Sequence, residues 1–181
     1  MIEKHSIIKV FAVLRNQTKE LSIRDVSRLA EISPSSSKYC LDWLDENGLV
    51  NKKKIGRSHL FKLNDSFVAR YAKILISLSE INNSGLVEEL LSKNDSIFSI
   101  ILYGSVARGE DSPQSDIDIL IISRKKIENF SIKSEKYFKR EITYMRYTMS
   151  EWREKARVDK AFYDRVIMDG ISLYGEKPII L

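Results

Sequence analysis

The stretch 96–123 constrains this chain more than any other. A dense apolar run at 96–102 ends in Tyr103-Gly104-Ser105; ten residues later comes Asp116-Ile117-Asp118, and a second apolar run continues to Ser123. Short apolar runs bounded by turn residues read as buried strands. The segment therefore demands a sheet built around these two runs, with an irregular loop between them. Side chains at i and i+2 share a strand face. Ile117, Ile119 and Ile121 then lie on one face, and Asp116, Asp118 and Leu120 on the other.

That alternation has a chemical consequence. Asp116 and Asp118 project together toward the Gly104-Ser105 turn, and like charges so close repel unless a divalent cation lies between them. Carboxylate oxygens suit Mg2+ or Mn2+. Such an ion would also bridge the phosphate oxygens of ATP or another nucleoside triphosphate and offset charge in a transition state. Gly104 lets the backbone approach a phosphate closely. Ser105 and the amides at 106–108 can donate to phosphate oxygens, and Arg108 adds a cation. Asp-x-Asp alone is often the polar face of an edge strand, and a Gly-Ser turn alone is common. The ordered combination selects a metal and nucleotide loop.

Upstream, Ile7, Ile8, Val10, Phe11 and Leu14 recur at helical spacing and predict a helix over Ser6–Arg15. Ser22 caps a second helix, with Asp25 in its first turn, running to Ala30. Ser33-Pro34 opens a third at once. This helix carries Tyr39, Leu41 and Leu44 and ends at Asn47-Gly48. Two helices across a three-residue break make a helix-turn-helix. Strand-like runs at 49–54 and 59–63, with Gly56 between them, form a basic hairpin or wing. Residues 1–64 thus read as a winged helix-turn-helix.

Asn64-Asp65-Ser66 caps a long helix to about residue 80, with Phe67, Tyr71, Ile74, Leu75 and Leu78 on one stripe. Within 65–85 it is either a linker or a dimerisation helix, and a homodimer is expected. Residues 81–85 break it, and a short helix follows at 86–92. Beyond the second strand the pattern predicts a basic helix over 126–140, broken near Phe130-Ser131. A third strand follows at 141–147, then a helical tail from Ser150 to Met168 and a short apolar run at 171–174. The fold class is α+β, with a C-terminal domain at 86–181 built on a small mixed sheet flanked by helices.

Charge is unevenly placed. The net is +5; residues 1–65 hold 12 Lys/Arg against 8 Asp/Glu, and residues 66–181 hold 18 against 17. A basic N-terminal third suggests a polyanionic partner there. In the winged-helix reading that partner is double-stranded DNA. Ser35, Ser36, Ser37 and Lys38 are the exposed start of the helix that enters the major groove. Lys52, Lys53, Lys54, Arg57 and His59 form the wing, where Lys and Arg neutralise phosphates. Winged helices also serve as protein-interaction modules; four basic residues within 52–57 favour DNA.

The remaining side chains with potential chemistry have bland readings. Cys40 is the single cysteine, so no intramolecular disulfide forms, and it reads as a core residue in a reducing compartment. His5 and His59 lack a Cys or His partner at metal spacing. Trp43 and Trp152 read as packing residues. Lys125, Lys126, Lys133, Lys136, Lys139 and Arg140 form either a solvated face or a grip on an acidic acceptor. Apolar residues make up 43% of the chain, yet no run reaches bilayer length and the start lacks a signal-peptide layout. A cytoplasmic protein without a membrane is expected.

Gly104-Ser105, the ten-residue gap and Asp116-Ile117-Asp118, with Arg108-Gly109 and Ser115 in place, resemble the minimal nucleotidyltransferase family of the DNA polymerase beta superfamily. The tail at 168–175 resembles the end of such domains, so the resemblance covers roughly 86–176. It implies a polymerase-beta-like domain that transfers a nucleoside monophosphate, AMP from ATP, to an acceptor hydroxyl with Mg2+. Ser115 joins the nucleotide-binding residues on the same ground. Some members are antitoxins that adenylylate a partner toxin of the helical HEPN type, so such a partner and an autoregulating antitoxin role are implied.

One departure stands out. The family's third carboxylate, the base that activates the acceptor hydroxyl, aligns with Thr143, which cannot act as one. Glu141, two residues away on the same face, is the substitute candidate; its bland reading is a solvated strand start. Whether the chain is an enzyme therefore stays open at this point. The alternative is a transcriptional regulator whose weakened domain senses nucleotide. A third reading, transfer to RNA ends, ranks last because the minimal domain leaves little surface for RNA.

Overall fold

Capping chemistry sets the helix boundaries of the N-terminal half. α1 spans Ser6–Arg15 and α2 spans Ile23–Ala30. The Ser22 hydroxyl accepts the Asp25 N–H, and the Asp25 carboxylate accepts the Ser22 N–H in return, a reciprocal pair that satisfies two otherwise orphaned donors. α3 spans Pro34–Glu46; Ser33 Oγ accepts the Ser36 N–H and Pro34 occupies the first turn. Gly48, at φ +69°, turns the chain out of α3.

The computed structural model describes residues 5–127 and 131–180, and the chain divides into two compact units, Met1–Ser79 and Glu80–Leu181. In the first, β2 (Val50–Ile55) and β3 (Ser58–Leu63) form a hairpin through Gly56 at φ +58°. A short strand absent from the sequence expectation, β1 (Leu21–Ser22), pairs with β3, giving the antiparallel order β1-β3-β2. Val10, Phe11, Val26, Leu41 and Phe61 close the core beneath these elements. Arg15 is buried with them, its Nη2 donating to Ser77 Oγ at 2.6 Å.

α4 spans Phe67–Ser84. The expected break at 81–85 comes late: the helix runs on through Ser84. Nothing in Ile81-Asn82-Asn83-Ser84 forces a left-handed backbone, and Gly85, at φ +70°, supplies it.

The second unit holds α5 (Leu86–Lys93), β4 (Ile97–Tyr103), α6 (Gly104–Ala107), β5 (Ile117–Ser123), β6 (Ile142–Thr148), α7 (Met149–Val158), α8 (Lys160–Asp169) and β7 (Ile171–Tyr174). Its mixed sheet runs β6-β5-β4-β7, with β5 and β6 parallel and the other pairs antiparallel. β4 and β5 are central, which is why their apolar runs are continuous rather than alternating. Leu120 and Ile122 pack with Trp152 and Val166, bringing one sheet face against α7 and α8. Trp152 is fully buried, and its indole N–H donates to the Pro178 carbonyl at 2.8 Å. Truncating such a residue to Ala costs about 3–5 kcal/mol.

Two expectations are corrected here. The basic helix at 126–140 does not form: in its described part only Lys133–Tyr137 makes a 3-10 turn. The residues near Phe130 lie outside the described residues. The Glu89 carboxylate accepts the backbone N–H groups of Lys133 and Ser134, both at 2.8 Å; this anchorage replaces an α-helical ladder. The helical tail is two helices, because Asp159 interrupts it and caps the second by accepting the Phe162 N–H. Among the described residues no helix is long and apolar enough to cross a membrane.

Candidate functional site

β4 delivers the chain to the site. Ile100, Ile101 and Leu102 are fully buried, and Tyr103 ends the strand opposite Asp118. On its other side Asp118 pairs with Thr143 of β6. Cross-strand partners point to the same face, so Tyr103, Asp118 and Thr143 form one row across three strands. The Ile117 N–H donates to the Glu141 carbonyl at 2.9 Å. The same register, continued one step, sets Glu141 beside Asp116, both exposed. Asp116, Asp118 and Glu141 thus sit at one end of adjacent strands.

Gly104 is required by geometry. Its φ is +75°, and a Cβ built on it would collide with a carboxylate oxygen of Asp118. The turn after β4 therefore lies directly against this carboxylate. Burial pushes the Asp118 carboxyl above its ordinary value; Asp116 pushes the same way, and Arg108 pulls it back. Tyr103 is pushed up to about 12, first by burial and then by Asp118 and Tyr147. Its ring meets Phe162 edge-on at 5.7 Å.

The loop between Gly104 and Asp116 is tied from within. Arg108 Nε donates to the Glu110 carboxylate at 2.8 Å, and its Nη1 lies 4.0 Å from Asp169. Arg108 thus lies close enough to act on the charge of Asp118, and is itself met by two other carboxylates. The Ser115 hydroxyl accepts the Ser112 N–H at 3.0 Å, closing the turn before Asp116. The half-buried Ser105 gives its carbonyl to the Glu110 N–H at 2.9 Å. Arg140 donates to Asp111 at 2.7 Å, with only 11% and 2% of the two side chains exposed. Sequence reasoning missed this ion pair, which fastens the loop to the approach of β6; no local spacing signals a partner 29 residues away. It also missed Asp169 as a neighbour of the site.

Two oxygen donors, Asp116 and Asp118, suit a cation that keeps waters and takes further ligands from phosphate, as Mg2+ does. Among the described residues no group of three or more His, Cys, Asp or Glu side chains is placed to hold a metal ion.

The residues expected to face DNA are spread more widely. Ser35 and Lys38 are exposed and Ser36 is half-buried. Ser37 corrects the expectation: it is fully buried, because it shares the inward stripe of α3 with Cys40, Leu41 and Leu44. Lys38 and Lys52 both approach Asp42, at 3.5 and 2.7 Å, and Lys53 lies 4.0 Å from Glu20. Lys54 and Arg57 are exposed at the hairpin tip, and no ion pair among the described residues holds them. Trp43 is 42% exposed and lines a shallow groove of α3 with Tyr39, whereas Trp152 is core.

No curated protein matches the chain. Among solved structures it is similar to AF1382 from Archaeoglobus fulgidus, with 15% identity, TM-score 0.40, 44% of this chain and 89% of that one covered. Reduced HlyU from Vibrio cholerae gives 26% identity, TM-score 0.36 and coverage of 42% and 79%. A candidate nucleotidyltransferase from Sulfolobus solfataricus gives 21% identity, TM-score 0.37 and coverage of 59% and 87%. Scores this low mark partial superpositions. The stretch that holds Gly104, Asp116, Asp118 and Thr143 has a clearer relation: residues 84–171, just under half of the chain, match the model of the nucleotidyltransferase domain family.

Proposed function

We propose that the second unit transfers a nucleoside monophosphate from ATP, or another nucleoside triphosphate, to an acceptor hydroxyl. The observation that carries this reading is the Asp116–Asp118 pair at the strand end, against the backbone of Gly104. Asp116 and Asp118 would hold Mg2+ or Mn2+, which supplies charge neutralisation on the phosphates when bound. Gly104 leaves room for phosphate, and the Ser105 hydroxyl donates to it. The acceptor oxygen bonds to the α-phosphorus, the bond to the bridging β-phosphate oxygen breaks, and pyrophosphate leaves. Glu141 is the candidate for taking the acceptor's proton, since Thr143 beside Asp118 has no carboxylate. Incubation with labelled ATP, Mg2+ and candidate acceptors tests this. Label transfer should be lost in Asp116→Ala with Asp118→Ala; equal signal from that variant and wild type rejects the reading.

The first unit is read as a winged helix-turn-helix that binds double-stranded DNA. Its helix–strand–helix–helix–hairpin order supports this, as do the uncompensated Lys54 and Arg57 at the hairpin tip. Acidic Asp42 and Glu46 on α3 weaken the contribution of that helix and shift the expected contacts to its serine start and the wing. A HEPN-type partner as acceptor, and with it an antitoxin role, follows from the family resemblance alone.

The pairing of Thr143 with Asp118 favours a second reading, a regulator that senses nucleotide without transfer. It requires ATP to bind and to change DNA affinity. Unchanged DNA affinity at saturating ATP rejects it.

A further inference from the structure

The two sides of α4 differ sharply along its first three turns. Ala69 and Ile76 point into the core of the first unit at 0% and 3% exposure. On the other side Phe67, Val68, Tyr71 and Leu75 are 74%, 38%, 70% and 57% exposed. Val68, Tyr71, Leu75 and the half-buried Leu78 follow 3-4-3 spacing, which is one continuous stripe on a helix, with Phe67 beside its start. No charged residue lies on the stripe. Arg70, whose guanidinium meets Asp65 at 3.0 Å, and Lys73 flank it.

Single exposed apolar residues are ordinary, but a contiguous patch of several hundred Å² marks an interaction surface. Whole aromatic side chains bury about 150–250 Å², so these four residues offer on the order of 400 Å². A standard interface takes about 800 Å² per partner, somewhat over half of it apolar. The stripe supplies about half of that area, which matches the apolar share of such an interface. The stripe itself carries no cation, so an apolar protein surface fits it better than a phosphate backbone. It is also self-complementary: an uncharged apolar row matches a copy of itself across a two-fold axis, the commonest symmetry of homo-oligomers.

We propose that two copies of this chain associate two-fold through the α4 stripe of Phe67, Val68, Tyr71 and Leu75. The association does not depend on any chemistry at Asp118. Sedimentation equilibrium of the full chain, from about 1 to about 100 µM, tests it across the range expected of modest interfaces. Wild type should reach twice the 21.0 kDa chain mass. Tyr71→Glu with Leu75→Glu should raise the dissociation constant at least about 100-fold, with an unchanged circular dichroism spectrum, because both sites are exposed. Phe67→Ser with Tyr71→Ser removes apolar area without adding charge and should also weaken association; it serves if the double-glutamate protein fails to fold. A wild type monomeric at the highest concentration overturns the proposal, as does a dimer that survives both folded variants. A monomer that binds a different protein through this face overturns it equally.

Discussion

The two units treat charge in opposite ways. In the first, Asp42 accepts both Lys38 and Lys52, and Asp25 pairs with Ser22 and Arg28. These charges are each met by a neighbour of opposite sign or a hydroxyl. In the second, Asp116 and Asp118 crowd one strand end, and burial with mutual repulsion makes ionisation of Asp118 harder. A chain selected for stability alone would not keep like charges against a glycine turn. Such a local conflict is the pattern expected of a ligand site, and it falls inside the stretch that matches the nucleotidyltransferase domain family. The first unit has no comparable conflict; its unusual feature is exposed apolar surface on α4.

The contrast breaks most severely at Gly104. Gly104→Ala adds a methyl where the Asp118 carboxylate sits and places a side chain at φ +75°. The expected cost is about 1–3 kcal/mol in stability. Displacing Asp118 by even ~1 Å should lower transfer about 100-fold. Thermal melts and turnover measured on the same preparation check both, and near-normal turnover would mean Asp118 does not act where the geometry puts it.

A smaller effect sharpens the other half. Lys54→Ala with Arg57→Ala should lower the slope of log affinity for DNA against log salt by about 2, one step per lost phosphate contact. Transfer activity should not change. A fluorescence-anisotropy salt titration reads the slope, and an unaltered slope removes the hairpin tip from the interface.

The mildest test concerns Glu89. Two backbone N–H groups, from Lys133 and then Ser134, hold its carboxyl at about 2, against an ordinary 4.5. A depressed carboxyl stabilises the fold above its unfolded value, and that stability is lost as pH falls through the folded value. The contribution of Glu89 should therefore vanish between about 4.5 and about 2. Glu89→Gln should flatten the pH dependence of unfolding in that window, and identical acid-unfolding curves for the two proteins would show that the contact contributes nothing.

Much of the fold was legible in the residues. The Ser22 and Ser33 caps, Gly48, Gly56 and the two central strands formed where short-range chemistry puts them, since each depends on neighbours within a few positions. The basic helix at 126–140 failed because Glu89, distant in sequence, captured its backbone donors. Ser37 was misassigned for a subtler reason: a run of three serines reads as polar surface, yet α3 turns one of them into the core every turn.

What the sequence alone determined is a pair of carboxylates on one strand face, a glycine turn to meet them, and a basic N-terminal third; strand alternation and backbone sterics are local rules. Tertiary structure decided the rest. It joined Asp111 to Arg140, bound Lys52 to Asp42, and left the α4 stripe exposed. Each of these depends on register or packing between segments far apart in sequence, and no local periodicity encodes that.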